Sequence, residues 1–157
     1  YGIYVDLENN PDLTITKAVS LIGGWDGEAT GDIVIDPLMY VTIIDGGGAG
    51  VIFIVNETSG LGNLITISGI RFPEGVATNF GGAIYVQNGR VDIVNNEFLS
   101  NISNGYGAAI AVESSHDVLI IGNLFDNNSA NLGGGGIYIG SNDPDNTTAL
   151  IEDNYFL

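Results

Sequence analysis

His116 and Asp117 stand side by side in Ser114-Ser115-His116-Asp117, and His116 is the only histidine in the chain. A histidine next to a carboxylate has the acid–base range of a general base. No Ser or Cys is spaced to act as its nucleophile, and the segment also reads as an exposed turn. A second cluster, Asp143-Pro144-Asp145-Asn146, places three oxygen-bearing side chains within four residues. That density suits Ca²⁺, which takes about six to eight oxygen ligands. Asp143, Asp145 and Asn146 are therefore the candidate metal ligands, and Ca²⁺ is the only cofactor the residues suggest. The spacing matches neither an EF-hand loop nor a glycine-rich nonapeptide repeat, and a solvated acidic turn would read the same way. Trp25, Tyr85 and Tyr138 offer rings on which a sugar could stack. Asn56, Asn101, Asn127 and Asn146 each open an Asn-X-Ser/Thr acceptor pattern, whose use depends on the host.

The elements that hold such residues must be built from 157 residues containing 24 Gly and 45% hydrophobic residues. The apolar residues come in short bursts, such as Val41-Thr42-Ile43-Ile44 and Val51-Ile52-Phe53-Ile54-Val55, separated by Gly, Asn, Asp and Ser. This is a strand-and-turn pattern with no sustained helical period. No apolar run reaches the roughly 18 residues of a membrane-spanning helix. Lys17, Arg71 and Arg90 are the only basic residues against 19 acidic ones, giving a formal net charge of −16. Such a chain repels phosphate backbones and anionic membrane surfaces, so nucleic acid is excluded as a partner and membrane association is disfavoured. With no cysteine, disulfides, thiolate zinc sites and thiol nucleophiles are excluded. A first residue of Tyr1 and no visible signal peptide fit a processed or excised segment.

Four segments align without gaps: Ile65-Thr66-Ile67-Ser68-Gly69-Ile70-Arg71-Phe72, Val91-Asp92-Ile93-Val94-Asn95-Asn96-Glu97-Phe98, Val118-Leu119-Ile120-Ile121-Gly122-Asn123-Leu124-Phe125 and Ala149-Leu150-Ile151-Glu152-Asp153-Asn154-Tyr155-Phe156. Val19–Gly24 and Val41–Gly46 carry the first half of the same pattern. A second element alternates with it: Gly82-Ala83-Ile84-Tyr85-Val86, Ala108-Ala109-Ile110-Ala111-Val112 and Gly135-Gly136-Ile137-Tyr138-Ile139. Ile84, Ile110 and Ile137 each follow the central Ile of the first element by 17 residues, whereas the return path varies. The central Ile or Leu then recurs at 21, 43, 67, 93, 120 and 151, in steps of 22, 24, 26, 27 and 31. Repeats of this length, made of short strands and tight turns, predict an all-β, right-handed, single-stranded parallel β-helix of about six coils, one domain over residues 1–157. Stacked coils put like over like at ~4.8 Å. The expected ladders are Ile67, Ile93, Ile120 and Ile151; Phe72, Phe98, Phe125 and Phe156; and Asn96, Asn123 and Asn154, whose amides can bond from coil to coil.

Gly81-Gly82-Ala83-Ile84, Phe98-Leu99-Ser100-Asn101 and Phe125-Asp126-Asn127-Asn128 resemble the GGAI and FxxN repeats of the chlamydial polymorphic outer-membrane proteins, related β-helix repeats of which occur in bacterial and archaeal surface proteins. Leu21-Ile22-Gly23-Gly24-Trp25-Asp26-Gly27 resembles the coil that often opens such regions. The motifs cover residues 64–157, with a weaker match before them. Gly75 stands where an FxxN Asn would follow Phe72, and Gly107-Ala108-Ala109-Ile110 softens the glycine motif. The resemblance implies a secreted or surface-exposed passenger region and no particular ligand.

Glycoside hydrolysis needs two carboxyls about 5–9 Å apart. In the expected columns Asp45 and Asp153 are separated by Gly69, Asn95 and Gly122, Asp92 is flanked by Thr66 and Leu119, and no adjacent-coil pair arises. Tyr85 and Tyr138 share a column interrupted by Ala111. The expectation is thus an extracellular structural or adhesive β-helix without catalytic activity. The alternative is a polysaccharide lyase, glycosidase or sugar-binding module, with surface glycans as ligands. Tyr155-Phe156-Leu157 forms an uncapped apolar coil, and Gly2-Ile3-Tyr4-Val5 reads like the Gly-Ile-Tyr element of the repeat. The expected partners are therefore other protein chains meeting it end to end, either copies of itself or the remainder of a longer solenoid.

Overall fold

The structure is a computed structural model that describes residues 3–6 (backbone path only), 13–28, 35–58, 63–113, 117–140 and 148–157. Its strands follow from alternation. In Arg90–Val94, Val91 and Ile93 are fully buried while Arg90, Asp92 and Val94 face outward. The chain then reaches a residue in the left-handed region, which swings it onto the next face. At that corner Gly69, Asn95, Gly122 and Asp153 have φ of 67°, 54°, 67° and 53°. Gly and short Asx side chains tolerate this conformation, whereas a β-branched residue would be strained.

The described strands form four sheets, all parallel. Ser20–Ile22, Leu64–Ser68, Arg90–Val94, Asp117–Ile121 and Thr148–Glu152 make the isoleucine sheet. Ile3–Asp6, Thr42–Asp45, Ile70–Pro73, Glu97–Leu99, Leu124–Asp126 and Tyr155–Phe156 make the phenylalanine sheet. A short sheet holds Val76–Ala77, Ile102–Ser103 and Ser129–Ala130. The glycine-led sheet holds Leu13–Ile15, Phe53–Asn56, Ile84–Asn88, Ile110–Val112 and Ile137–Ile139. Each full coil visits the four in that order, so the chain is a parallel β-solenoid. No helix among the described residues is long and apolar enough to cross a membrane.

The predicted ladders hold in register. Ile67 pairs with Ile93, Ile93 with Ile120 and Ile120 with Ile151. Phe72, Phe98, Phe125 and Phe156 stack with ring centroids 5.3, 5.0 and 4.8 Å apart. Phe53 closes the bottom of that stack edge-on to Phe72.

The coil count differs from the expectation: the solenoid has about four turns, not six. Leu21 pairs directly with Ile67, so Ile43 is not a rung of the isoleucine ladder. Thr42–Asp45 lies in the phenylalanine sheet, with Thr42 opposite Ile70 and Ile43 opposite Arg71. Its alternation is the same as that of the true rungs, and the chain between Leu21 and Thr42 makes an excursion in which Trp25 bridges antiparallel to Ile35. Ile3–Asp6 likewise pairs with Thr42–Asp45, not with the glycine-led sheet, whose first place is taken by Leu13–Ile15. This register puts Asp45 opposite Asp6 along the backbone, adjacent acidic positions that the expected columns did not contain, and removes Asp45 from the column of Asp153.

Candidate functional site

Two asparagine ladders line two edges of the phenylalanine sheet. In the first, the Asn96 and Asn123 side chains are essentially unexposed. The Oδ1 of Asn96 accepts from the Ile70 backbone N–H at 3.1 Å, that of Asn123 from the Asn96 N–H at 2.9 Å, and that of Asn154 from the Asn123 N–H at 2.9 Å. Their Nδ2 groups donate to the carbonyls of Ile67, Ile93 and Ile120. Asn101 and Asn128, which the sequence offers only as motif letters, form the second ladder. The Gly75 N–H donates to Asn101 Oδ1 at 2.8 Å and the Asn101 N–H to Asn128 Oδ1 at 3.0 Å, while Asn101 and Asn128 donate to the Phe72 and Phe98 carbonyls. The departure at Gly75 has a steric cause: a Cβ there would lie 2.1 Å from the Gly82 carbonyl oxygen. In the GGAI motif, Gly81, Gly107 and Gly134 have φ of 59°, 61° and 66°, so the motif's first glycine is a left-handed corner.

His116 and the cluster Asp143, Asp145 and Asn146 lie outside the described residues, as does the acceptor pattern at Asn146. Among the described residues no three metal-binding side chains come together. Asn101 is fully buried with its amide spent in the ladder, so that acceptor pattern is closed to modification. Asn127 is exposed at a left-handed corner, and Asn56 Oδ1 accepts from Asn88 Nδ2.

The outer face of the isoleucine sheet carries a shallow groove of about 440 Å³ lined by Leu64, Arg90, Asp92, Asp117, Leu119, Thr148 and Leu150, among others. Arg90 Nε donates to Asp117 at 3.1 Å, and Thr148 donates to the other oxygen of Asp117 at 2.8 Å. Burial pushes the Asp92 carboxyl above the usual carboxylate range, opposed by the charge of Arg90. Asp92 sits between Thr66 and Leu119 as expected. Asp92 and Asp117 stand on neighbouring strands of this face, with Asp92 opposite Leu119, and both line the groove.

The outer surface of the glycine-led sheet carries an aromatic strip. Tyr85, Ala111 and Tyr138 share a column, and Ala111 is fully buried although it faces outward. The rings of Phe80 and Tyr106 fill the interruption. Phe80 lies 5.4 Å from Tyr85, 5.9 Å from Tyr106 and 6.0 Å from Tyr138, and Tyr106 lies 4.6 Å from Tyr138. Sequence alignment on the central Ile leaves Phe80 and Tyr106 out because they belong to the loop before the strand. The available signal is their common place four residues before Ile84 and Ile110, where the next coil has Gly133. The Tyr85 hydroxyl donates to Glu113. Burial first, and then Glu113, pushes the Tyr85 phenol up to about 12, with a hydrogen bond from Gln87 acting the other way. Trp25 lies apart from this strip, half-exposed in the excursion beside Ile35.

Compared with protein families, with curated proteins and with solved structures, the chain matches none. The fold and the ladders themselves define the class: a parallel β-solenoid whose buried polar chemistry is devoted to joining one coil to the next.

Proposed function

We propose that this chain is an extracellular structural β-helix, of the kind that forms a surface stalk, adhesin passenger or filament, that works as a rigid body presenting its surface rather than by catalysis. The observation that carries the reading is that the buried polar side chains are spent on cohesion: Asn96, Asn101 and Asn123 are buried, and their amides donate to the Ile67, Phe72 and Ile93 carbonyls of the neighbouring coil. A column in which every coil is bonded to the next in this way is a stiff scaffold that needs no staple from outside. The net charge of −16 and the resemblance of the repeats to those of surface proteins support a place outside the cell.

The test is incubation of the folded chain with neutral and uronic-acid polysaccharides, read as new reducing ends or unsaturated products. The reading predicts neither, and cleavage that Asp92→Asn or Asp117→Asn abolishes contradicts it.

A further inference from the structure

The aromatic strip is more than the fold needs. The interior of the solenoid is already closed by the Ile and Phe ladders, whereas Phe80, Tyr85, Tyr106 and Tyr138 form a second stack on the outside, each ring half-buried. Beside the Phe80 and Tyr85 end of this stack opens a cleft of about 270 Å³, walled by Val51, Ala77, Phe80 and Tyr85 and rimmed by Thr78 and Asn79. The Thr78 and Asn79 side chains are exposed on that rim, and the Asn79 backbone is fixed from behind because its carbonyl accepts from the Tyr106 N–H at 2.7 Å. The rim therefore offers a hydroxyl and a carboxamide over apolar walls.

We infer that this cleft binds a neutral glycan, with one pyranose ring in it against Phe80 and Tyr85 and the rest of the sugar chain outside. A pyranose presents an apolar C–H face, whose weakly positive hydrogens suit the negative face of an aromatic ring, and a rim of hydroxyls that need neutral donors and acceptors. The volume is just below the ~300 Å³ at which drug-sized pockets begin, so a single ring fits and a longer chain must extend outside it. The chemistry selects against acidic sugars: no Lys or Arg lines the cleft, Glu113 stands beside Tyr85, and the chain carries a net charge of −16. Tyr85, held neutral by burial and Glu113, keeps its hydroxyl through the whole physiological range.

The test is amide NMR of the folded chain titrated with hexasaccharides of glucose and of N-acetylglucosamine, with a hexasaccharide rich in uronic acid and tetramethylammonium as comparisons. At least one neutral sugar should move the Thr78–Tyr85 amides with millimolar affinity, and the acidic sugar should not. Phe80→Ala should weaken binding by about tenfold. Asn79→Ala, a change at an exposed side chain, should weaken it by about threefold with no change in melting temperature. No response to either neutral sugar, an equal response to the acidic one, or full affinity in both variants overturns the assignment. A response to tetramethylammonium alone overturns it too, and identifies a cation–π site instead.

Discussion

The side-chain oxygen of Asn123 accepts two hydrogen bonds from Asn96 on the coil below, one from its backbone N–H at 2.9 Å and one from its amide at 3.1 Å. Asn123 in turn donates to the Ile93 and Ile121 carbonyls at 2.8 and 3.1 Å. One buried carboxamide thus satisfies backbone groups on two coils at a corner where the sheet ladder is interrupted. Asn123→Ala leaves those groups buried without partners and should cost about 2–4 kcal/mol. The exposed Asn131→Ala should stay within about 0.5 kcal/mol of the parent. Urea unfolding at constant slope measures both, and equal midpoints for the two variants would show that the ladder is not cohesive.

The phenylalanine stack separates covered from uncovered coils. Phe125 is 2% exposed between two parallel rings, whereas Phe156 is 57% exposed with a ring on one side only. Phe125→Ala should cost about 3–5 kcal/mol, as for other buried aromatics. Under dilute conditions Phe156→Ala should cost about 1 kcal/mol, since its burial is partial. Thermal or urea melts of the two variants at low protein concentration check the difference.

Asp92 gives a pH signature. Burial holds its carboxyl above the unfolded value of 3.8, partly offset by Arg90. A group whose folded pKa is raised contributes stability that is whole below the unfolded value and is lost as pH rises through the folded one. Near neutral pH the ionised, part-buried Asp92 therefore works against the fold. Asp92→Asn should raise the melting temperature there, and the advantage should shrink as pH falls through the raised folded value and be gone below about 4. A variant less stable than its parent at neutral pH would show that the pairing with Arg90 outweighs burial.

Much of this architecture is legible in the chain because it is local. The alternation of Arg90–Val94, the Asn95-Asn96 corner and Phe98 five residues after Ile93 identify strand, bend and strand within one window, and a parallel stack multiplies the same window. Ile43 was not legible, because Thr42–Asp45 has the alternation of a rung and its place in the phenylalanine sheet depends on the excursion through Trp25 and Ile35. The second asparagine ladder was half legible: the motif gives Asn101 and Asn128, but their acceptor role depends on Gly75 and the Phe72 carbonyl 26 and 29 residues away. Phe80 and Tyr106 escaped alignment because they reach Tyr138 only across coils, from a loop whose strand does not contain them.

Native-state hydrogen exchange of the folded chain tests the cohesion of the coils most directly. The account predicts that the amides of Ile70, Gly75, Asn96 and Asn101, which donate to the asparagine ladders, exchange only on global unfolding, and that Asn123→Ala speeds exchange at Asn96. Ladder amides that exchange as fast as those of the exposed Thr78 and Asn79 would contradict it.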